Sequence, residues 1–461
     1  MGLSDTAEGL MRGLGLGDPV IRLGVTGLSR AGKTVFITSM VANLLDRGRM
    51  PALRAAADGT LKAAWLQPQP DDTVPRFDFE RHLAALTGPD PHWPEGTRHV
   101  SQLRLSLRVQ PRGMFGGLRG IRTVHLDIVD YPGEWLLDLR LMDKSFAAWS
   151  AEVLDRMQDR PGAAAYLAAA SSVDARAGFD EPTAQRLAAA YTAYLHAARD
   201  AGFSDCTPGR FLLPGELDGS PALTFAPLPP APGGRPGPIA REFQRRFDAY
   251  KSRVVKPFFR DHFARIDRQV VLTDVLGAIH AGPRAVEDTR RAMADILSAF
   301  RPGRAGWLAQ LLGTRRVERI LFAATKADHL HHVQHQRLTN ILTAMLREAR
   351  DRADFQGART DAMAIAALRT TTEEMIHQDG QDLPAVRGTL MDGRQAAFYP
   401  GELPDNPADL LAPARAGATQ WLDADYAIMN FAPAPATLRT GDGPPHIRLD
   451  RAAEFLFGDR L

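Results

Sequence analysis

Ile21-Arg22-Leu23-Gly24-Val25-Thr26 runs directly into Gly27-Leu28-Ser29-Arg30-Ala31-Gly32-Lys33-Thr34. The first six residues form a short apolar run, which suits a strand buried on both faces of a parallel sheet. Past Thr34, the residues Phe36, Ile37, Met40, Val41, Leu44 and Leu45 recur at helical spacing. Strand, glycine loop and helix in that order fit G-x-x-x-x-G-K-[ST]. The glycines let backbone N–H groups approach a chain of phosphates, and the helix N-terminus adds its partial positive charge. In this pattern Lys33 contacts the β- and γ-phosphates, and the Thr34 hydroxyl holds Mg²⁺. A glycine-rich turn without a ligand is the alternative, so the ends of the other strands decide.

Three more apolar runs end in polar loops. Val124 to Val129 closes on Asp130-Tyr131-Pro132-Gly133. A carboxylate there faces a phosphate loop and holds Mg²⁺, and Gly133 offers its N–H to the γ-phosphate. The bland alternative is a strand-ending Asp-x-Pro-Gly turn. Ile320 to Ala324 closes on Thr325-Lys326-Ala327-Asp328, which resembles the [NT]-K-x-D motif of GTPases. A carboxylate there accepts from guanine N1–H and the 2-amino group, a donor pair adenine lacks, while the lysine stem covers the base. A helix N-cap by Asp328 is its alternative. Met363 to Ala367 closes on Ala366-Ala367-Leu368, which resembles the S-A-[KL] loop whose backbone N–H bonds the guanine carbonyl. Each match is weak alone. Together they stand in GTPase order at the C-terminal ends of strands, the edge where open α/β sheets bind ligands.

Composition agrees and excludes rivals. The chain has 461 residues, 44% hydrophobic and 24% charged, enough for two to four domains with real cores. Its 56 basic and 54 acidic residues leave +2, no global reason to bind nucleic acid. A lone cysteine, Cys206, forbids an intrachain disulfide and fits a reducing, cytoplasmic setting. No apolar run approaches the ~18 residues of a membrane span, and the start lacks a secretory signal. Only six of the basic residues are lysines, and two of these, Lys33 and Lys326, fall inside the motifs.

Position adds further candidates. Thr97 stands shortly before the alternating stretch Leu103 to Val109, which reads as an edge strand with one wet face. There it serves as the first-switch threonine that closes on Mg²⁺ and γ-phosphate, with Arg98 beside it as an arginine finger in cis. Glu134 holds the place of a water-orienting glutamine, but its charge repels the γ-phosphate oxygens, so turnover should be slow. His329, His331, His332 and His335 follow the base motif, with His331 and His335 spaced i, i+4. Lacking a third ligand in the sequence, they read as a solvated helix start.

The chain divides accordingly. Val270 to Leu276 reads as one more strand, and helical patterns lie near 281–300 and 332–350. Apolar strands alternating with helices imply a doubly wound, mostly parallel sheet. Residues 48–96 read as irregular. Residues 1–16 are an N-terminal segment, 17–139 with 266–375 a discontinuous nucleotide domain, 140–265 a helical insertion, and 376–461 a small C-terminal β-rich module with a terminal helix. Pro227 to Gly234 reads as an extended linker. Asp392-Gly393 signals a hairpin with a two-residue loop.

Longer strings sharpen the reading. Val25 to Thr34, Asp127 to Leu139, Pro208-Gly209-Arg210-Phe211-Leu212-Leu213-Pro214-Gly215, Leu321 to His329 and Pro445 to Asp450 resemble the YcjX-like family of bacterial P-loop GTPases across nearly the whole chain. The resemblance implies a Ras-like domain with a helical insertion, GTP and GDP binding, GTP hydrolysis, a link to stress responses and a membrane-protein partner. It carries Ser29, Arg30, Ala31, Gly32, Lys33, Thr34 and Val35, with Asp130, Lys326 and Asp328, over to nucleotide and Mg²⁺ binding. It adds His329 as a nucleotide contact and Trp93 as a shield over the nucleotide. The expectation is a Mg²⁺-dependent GTPase switch. An ATPase, with Asp328 only a helix cap, and a nucleotide-holding scaffold without turnover are the competing readings.

Overall fold

The structure is a computed structural model that describes residues 18–28, 31–96, 99–110, 120–158, 160–173, 178–230, 235–299, 317–355, 358–378, 380–418, 430–433 and 441–461. Val20–Gly27 forms β1, and Arg268–Thr273 and Arg319–Ala324 form β5 and β6. These runs have no wet face, and almost every residue in them is buried. Such strands are stable only when both faces are covered, which places them mid-sheet. With β2 (Leu61–Gln67), β3 (Ser101–Val109), β4 (Arg122–Asp130) and β7 (Arg359–Ala364), the described residues form a seven-stranded sheet of order β2-β3-β4-β1-β5-β6-β7. From β4 through β7 every pairing is parallel, whereas β2–β3 and β3–β4 are antiparallel.

Four sequence expectations change here. β3 is not the edge: β2, from the stretch read as irregular, pairs outside it. Nor is its polar face wet. Arg104 lies directly opposite Asp127 and forks onto it, Nε to Oδ1 at 2.6 Å and Nη2 to Oδ2 at 2.8 Å, so the pair is buried without an unmet charge. β5 stops at Thr273, because Asp274 caps the following helix (Val275–Ala281) by accepting from Gly277 N–H. β7 likewise stops at Ala364.

Helices cover both faces of the sheet. On one, the helix Lys33–Leu45 packs with the terminal helix Leu449–Phe457, whose Leu449, Ala452, Ala453, Leu456 and Phe457 join the core of β1, β5 and β6. The buried Arg268 guanidinium donates to Leu456 C=O at that helix's C-terminus, which also suits the helix dipole. The opposite face carries helices Pro283–Ala299 and His335–Phe355. Its core continues into the helices between β4 and β5, among them Phe146–Met157, Glu181–Asp200 and Pro238–Tyr250.

Pro227 is buried within that helical region and accepts from Tyr166 O–H, so the start of the proline stretch is packed rather than a free linker. Residues 231–234 lie outside the described residues. A second sheet of β8 (Thr371–Gln378), β9 (Gln381–Thr389) and β10 (Gln395–Phe398) is an antiparallel meander. The hairpin at Asp392-Gly393 forms with a three-residue loop, Met391 to Gly393. Leu390 N–H bonds Arg394 C=O across it, and Gly393 takes the left-handed φ of 86° that the third position requires.

Candidate functional site

β1 delivers the phosphate loop. Leu28 N–H is tied to Leu272 C=O on β5, Gly32 adopts φ 76°, and the helix begins at Lys33. Lys33 and Val35 are half-buried and Ala31 is buried. No carboxylate among the described residues pairs with the Lys33 ammonium. Ser29 and Arg30 lie outside the described residues, as do Thr97 and Arg98.

Next to β1, Asp130 stands opposite Val25 at the end of β4 and is buried, as is Thr34. The chain then folds back over the loop. A Cβ on Gly133 would lie 2.1 Å from Gly27 C=O, so glycine is required there by the approach of two backbones, its φ of −66° being ordinary. Glu134 follows, buried, with no hydrogen-bond partner for Oε2 among the described residues. A hydroxyl and a carboxylate beside a glycine cradle are the hard oxygen donors that Mg²⁺ takes. The residues present therefore fit a Mg²⁺–triphosphate.

Two strands away, roughly 10 Å at ~4.8 Å per strand, β6 delivers the base motif. Asp328 caps no helix. Its Oδ2 accepts from Thr370 N–H at 2.9 Å and from Thr370 Oγ1–H at 2.7 Å, and Thr371 Oγ1–H donates to its C=O. Lys326 has the left-handed φ of 60°, and its ammonium pairs with Asp274. His335 steadies the loop from behind. Both partners of its Nε2, Ala327 and Leu330, are carbonyls, so Nε2 carries the proton while Nδ1 accepts from Arg448. His329 is buried and meets Phe431 edge-on. Burial and the Lys326 charge, against the pull of Asp328 and Asp274, hold its pKa below the usual value.

Several expectations are corrected by these contacts. Ala366 N–H is spent on Ile447 C=O, so Ala366 cannot offer it to a base. Ala367 and Leu368 beside it make no such backbone pairing among the described residues. His329, His331 and His335 are buried rather than solvated; His332 alone of the four is exposed. Trp93 is half-buried, and its Nε1–H donates to Phe431 C=O, which ties its loop to the module of β8–β10. Thr370, Thr371 and Asp274 had drawn no attention in the sequence. Asp274 directly follows β5, and Thr370 and Thr371 stand where β8 begins.

The segment after Gly133 leans on the helical region. Asp138 is buried; its Oδ1 accepts from Gly209 N–H at 2.8 Å and its Oδ2 from Tyr250 O–H at 2.6 Å. Arg210 lies over the Trp135 ring, 3.2 Å from its centre. Burial pushes the Asp138 carboxyl up to about 6, although both hydrogen bonds and the charges of Arg210 and Arg140 oppose it. A folded-state pKa above the unfolded one means the native state binds the extra proton. Stability from this group is therefore greatest below pH ~4 and falls as pH rises to ~6, by about 3 kcal/mol. Asp138→Asn should flatten that slope in urea titrations at pH 4 to 8. An unchanged slope would assign it to other groups.

A glycine phosphate loop after β1, a carboxylate at the end of β4 and an Asp-bearing loop after β6 define a P-loop nucleotide-binding protein of the Ras-like α/β class. Residues 21–461 match the model of the YcjX-like family, DUF463, and the chain belongs to that family. It is 37% identical over 460 residues to the Ras-like GTPase YcjX of Escherichia coli K12, covering 96% of each chain. To the Ras-like GTPase YcjX of Shewanella oneidensis it is 34% identical over 470 residues, covering 96% of this chain and 95% of the relative. No helix of the described residues is long and apolar enough to cross a membrane.

Proposed function

We propose that this chain is a Mg²⁺-dependent GTP-binding switch that hydrolyses GTP slowly and acts in the cytoplasm on a protein effector, a membrane protein by the family resemblance. The observation that carries the guanine reading is the Asp328 carboxylate. It is buried beyond β6 and held by Thr370 rather than by a helix N-terminus, and its Oδ1, with no hydrogen-bond partner among the described residues, is left for a base. Lys33 binds the β- and γ-phosphates. Thr34 and Asp130, with Thr97, hold Mg²⁺, which supplies charge neutralisation on the phosphates. Ala367 and Leu368 supply backbone N–H groups to the guanine carbonyl, and Lys326, anchored by Asp274, flanks the base.

Glu134 accepts a proton-side contact from the attacking water. Its negative charge beside the γ-phosphate keeps the step slow. GTP orders the two switch segments and hydrolysis releases them. The segment from Glu134 to Asp138 touches the helical insertion directly, which makes the insertion the relay.

The test is competition against a fluorescent GDP analogue with Mg²⁺. GTP and GDP should displace it and ATP should not. Equal displacement by ATP would overturn the guanine reading. Under single-turnover conditions Glu134→Gln should alter the rate of phosphate release, and an unchanged rate would remove Glu134 from the mechanism.

A further inference from the structure

The histidines after the base motif find a third ligand type in the fold that the sequence does not show. His335 is turned to carbonyls and lost to any ion. The rings of His331 and His332 instead lie tilted against each other, with centres 4.4 Å apart, beside Glu373 of β8. His332 Nδ1 lies 2.6 Å from Glu373 Oε2 and His331 Nε2 lies 4.0 Å from the same oxygen. One ligand atom from each residue falls within 4.8 Å of the other two. An ion pair needs one imidazole; here two converge on one carboxylate oxygen. His331 is buried and turns its Nε2 toward that oxygen. Arg369 approaches Glu373 Oε1 at 3.5 Å, which orients the carboxylate and leaves Oε2 for an ion.

We propose that His331, His332 and Glu373 form a binding site for one borderline divalent transition-metal ion, of which Zn²⁺ is the natural representative. Two imidazole nitrogens and one carboxylate oxygen suit Zn²⁺, Co²⁺ or Ni²⁺ and not Mg²⁺, which demands oxygen. A tetrahedral ion with bonds near 2.0–2.1 Å separates its ligand atoms by ~3.4 Å. The 4.0 Å gap closes by about half an ångström and the 2.6 Å contact opens by less than one, movements of side chains alone. His332 is exposed, so the ion enters from solvent and keeps water as its remaining ligand.

The bound ion is a clamp. Thr370 and Thr371 already strap the start of β8 to Asp328. A metal bridge between residues 331–332 and 373 adds a cross-link just beyond that strap. The site itself does not depend on which nucleotide the chain binds.

The experiment is calorimetric titration of ZnCl₂ into the untagged full chain in excess Mg²⁺, repeated with Co²⁺ while its visible absorption is followed. One ion per chain is expected, with the intense bands of a low-coordinate Co²⁺ site. His332→Ala with Glu373→Gln should weaken binding at least tenfold and remove those bands. Glu373→Gln alone, which keeps the shape and a hydrogen-bond acceptor, should weaken binding by a smaller factor in the same direction. No binding by the parent, or equal binding by parent and double variant, would overturn the proposal.

Discussion

Asp328→Asn should lose GDP affinity at least a hundredfold while leaving the thermal unfolding of the chain little changed. The reason lies in what already holds the carboxylate. Thr370 points both its N–H and its hydroxyl at Oδ2. In the asparagine variant, the atom facing those donors must be the amide oxygen, since an NH₂ group has nothing to accept with. The NH₂ is then forced toward the base, where guanine presents N1–H and a 2-amino group. Donor meets donor, and two charge-assisted bonds of about 1.5–3 kcal/mol each disappear. At 1.4 kcal/mol per tenfold that exceeds a factor of one hundred. Xanthosine diphosphate carries a carbonyl where guanine has the amino group, so the variant should prefer it to GDP. The same fluorescent-analogue competition reads both effects. Undiminished GDP affinity in Asp328→Asn would leave an ATPase as the better reading.

What the sequence disclosed depended on how local the cause was. The phosphate loop is legible because glycine, lysine and threonine act there through backbone geometry and charge within eight residues, between an apolar strand and an apolar helix. The interior place of β3 is illegible for the opposite reason. Arg104 and Ser106 look like a solvent face, and only the register with β4 shows that Asp127 and His125 stand opposite them, His125 Nδ1 lying 2.8 Å from Ser106 Oγ. β2 shows no alternation, and its apolar run, Ala63 to Leu66, is only four residues long and half alanine, so it becomes a strand by pairing. The support of Asp328 comes from Thr370, forty-two positions away. The third ligand of the histidine pair, Glu373, is as remote from His331. A carboxylate's own loop can be read from four residues; its orientation is set by tertiary contacts that no short pattern encodes.

Gly209→Val should uncouple the helical insertion from the segment that follows the phosphate loop, and it should cost stability as well. A Cβ at Gly209 would lie 2.4 Å from Glu134 C=O and 3.0 Å from Trp135 N. Both are backbone atoms, so no rotamer change makes room and the two segments must part. Overpacking of this kind costs about 1–3 kcal/mol. The shift also breaks the Gly209 N–H to Asp138 bond, a charge-assisted contact of about 1.5–3 kcal/mol. A loss of roughly 2.5–6 kcal/mol in urea unfolding follows. Asp138→Asn separates the two causes, because it removes the charge from that hydrogen bond without crowding the Glu134 backbone. In the parent, amide hydrogen exchange of residues 209–215 should differ between the GTP-bound and GDP-bound chain. These residues touch Glu134 and Trp135 on one side and, at Gly215, His99 just past Thr97 on the other. In Gly209→Val that difference should vanish even where the chain remains folded and binds nucleotide. If the variant kept both parental stability and the nucleotide-dependent exchange, the contact would be incidental packing and the relay would have to run elsewhere.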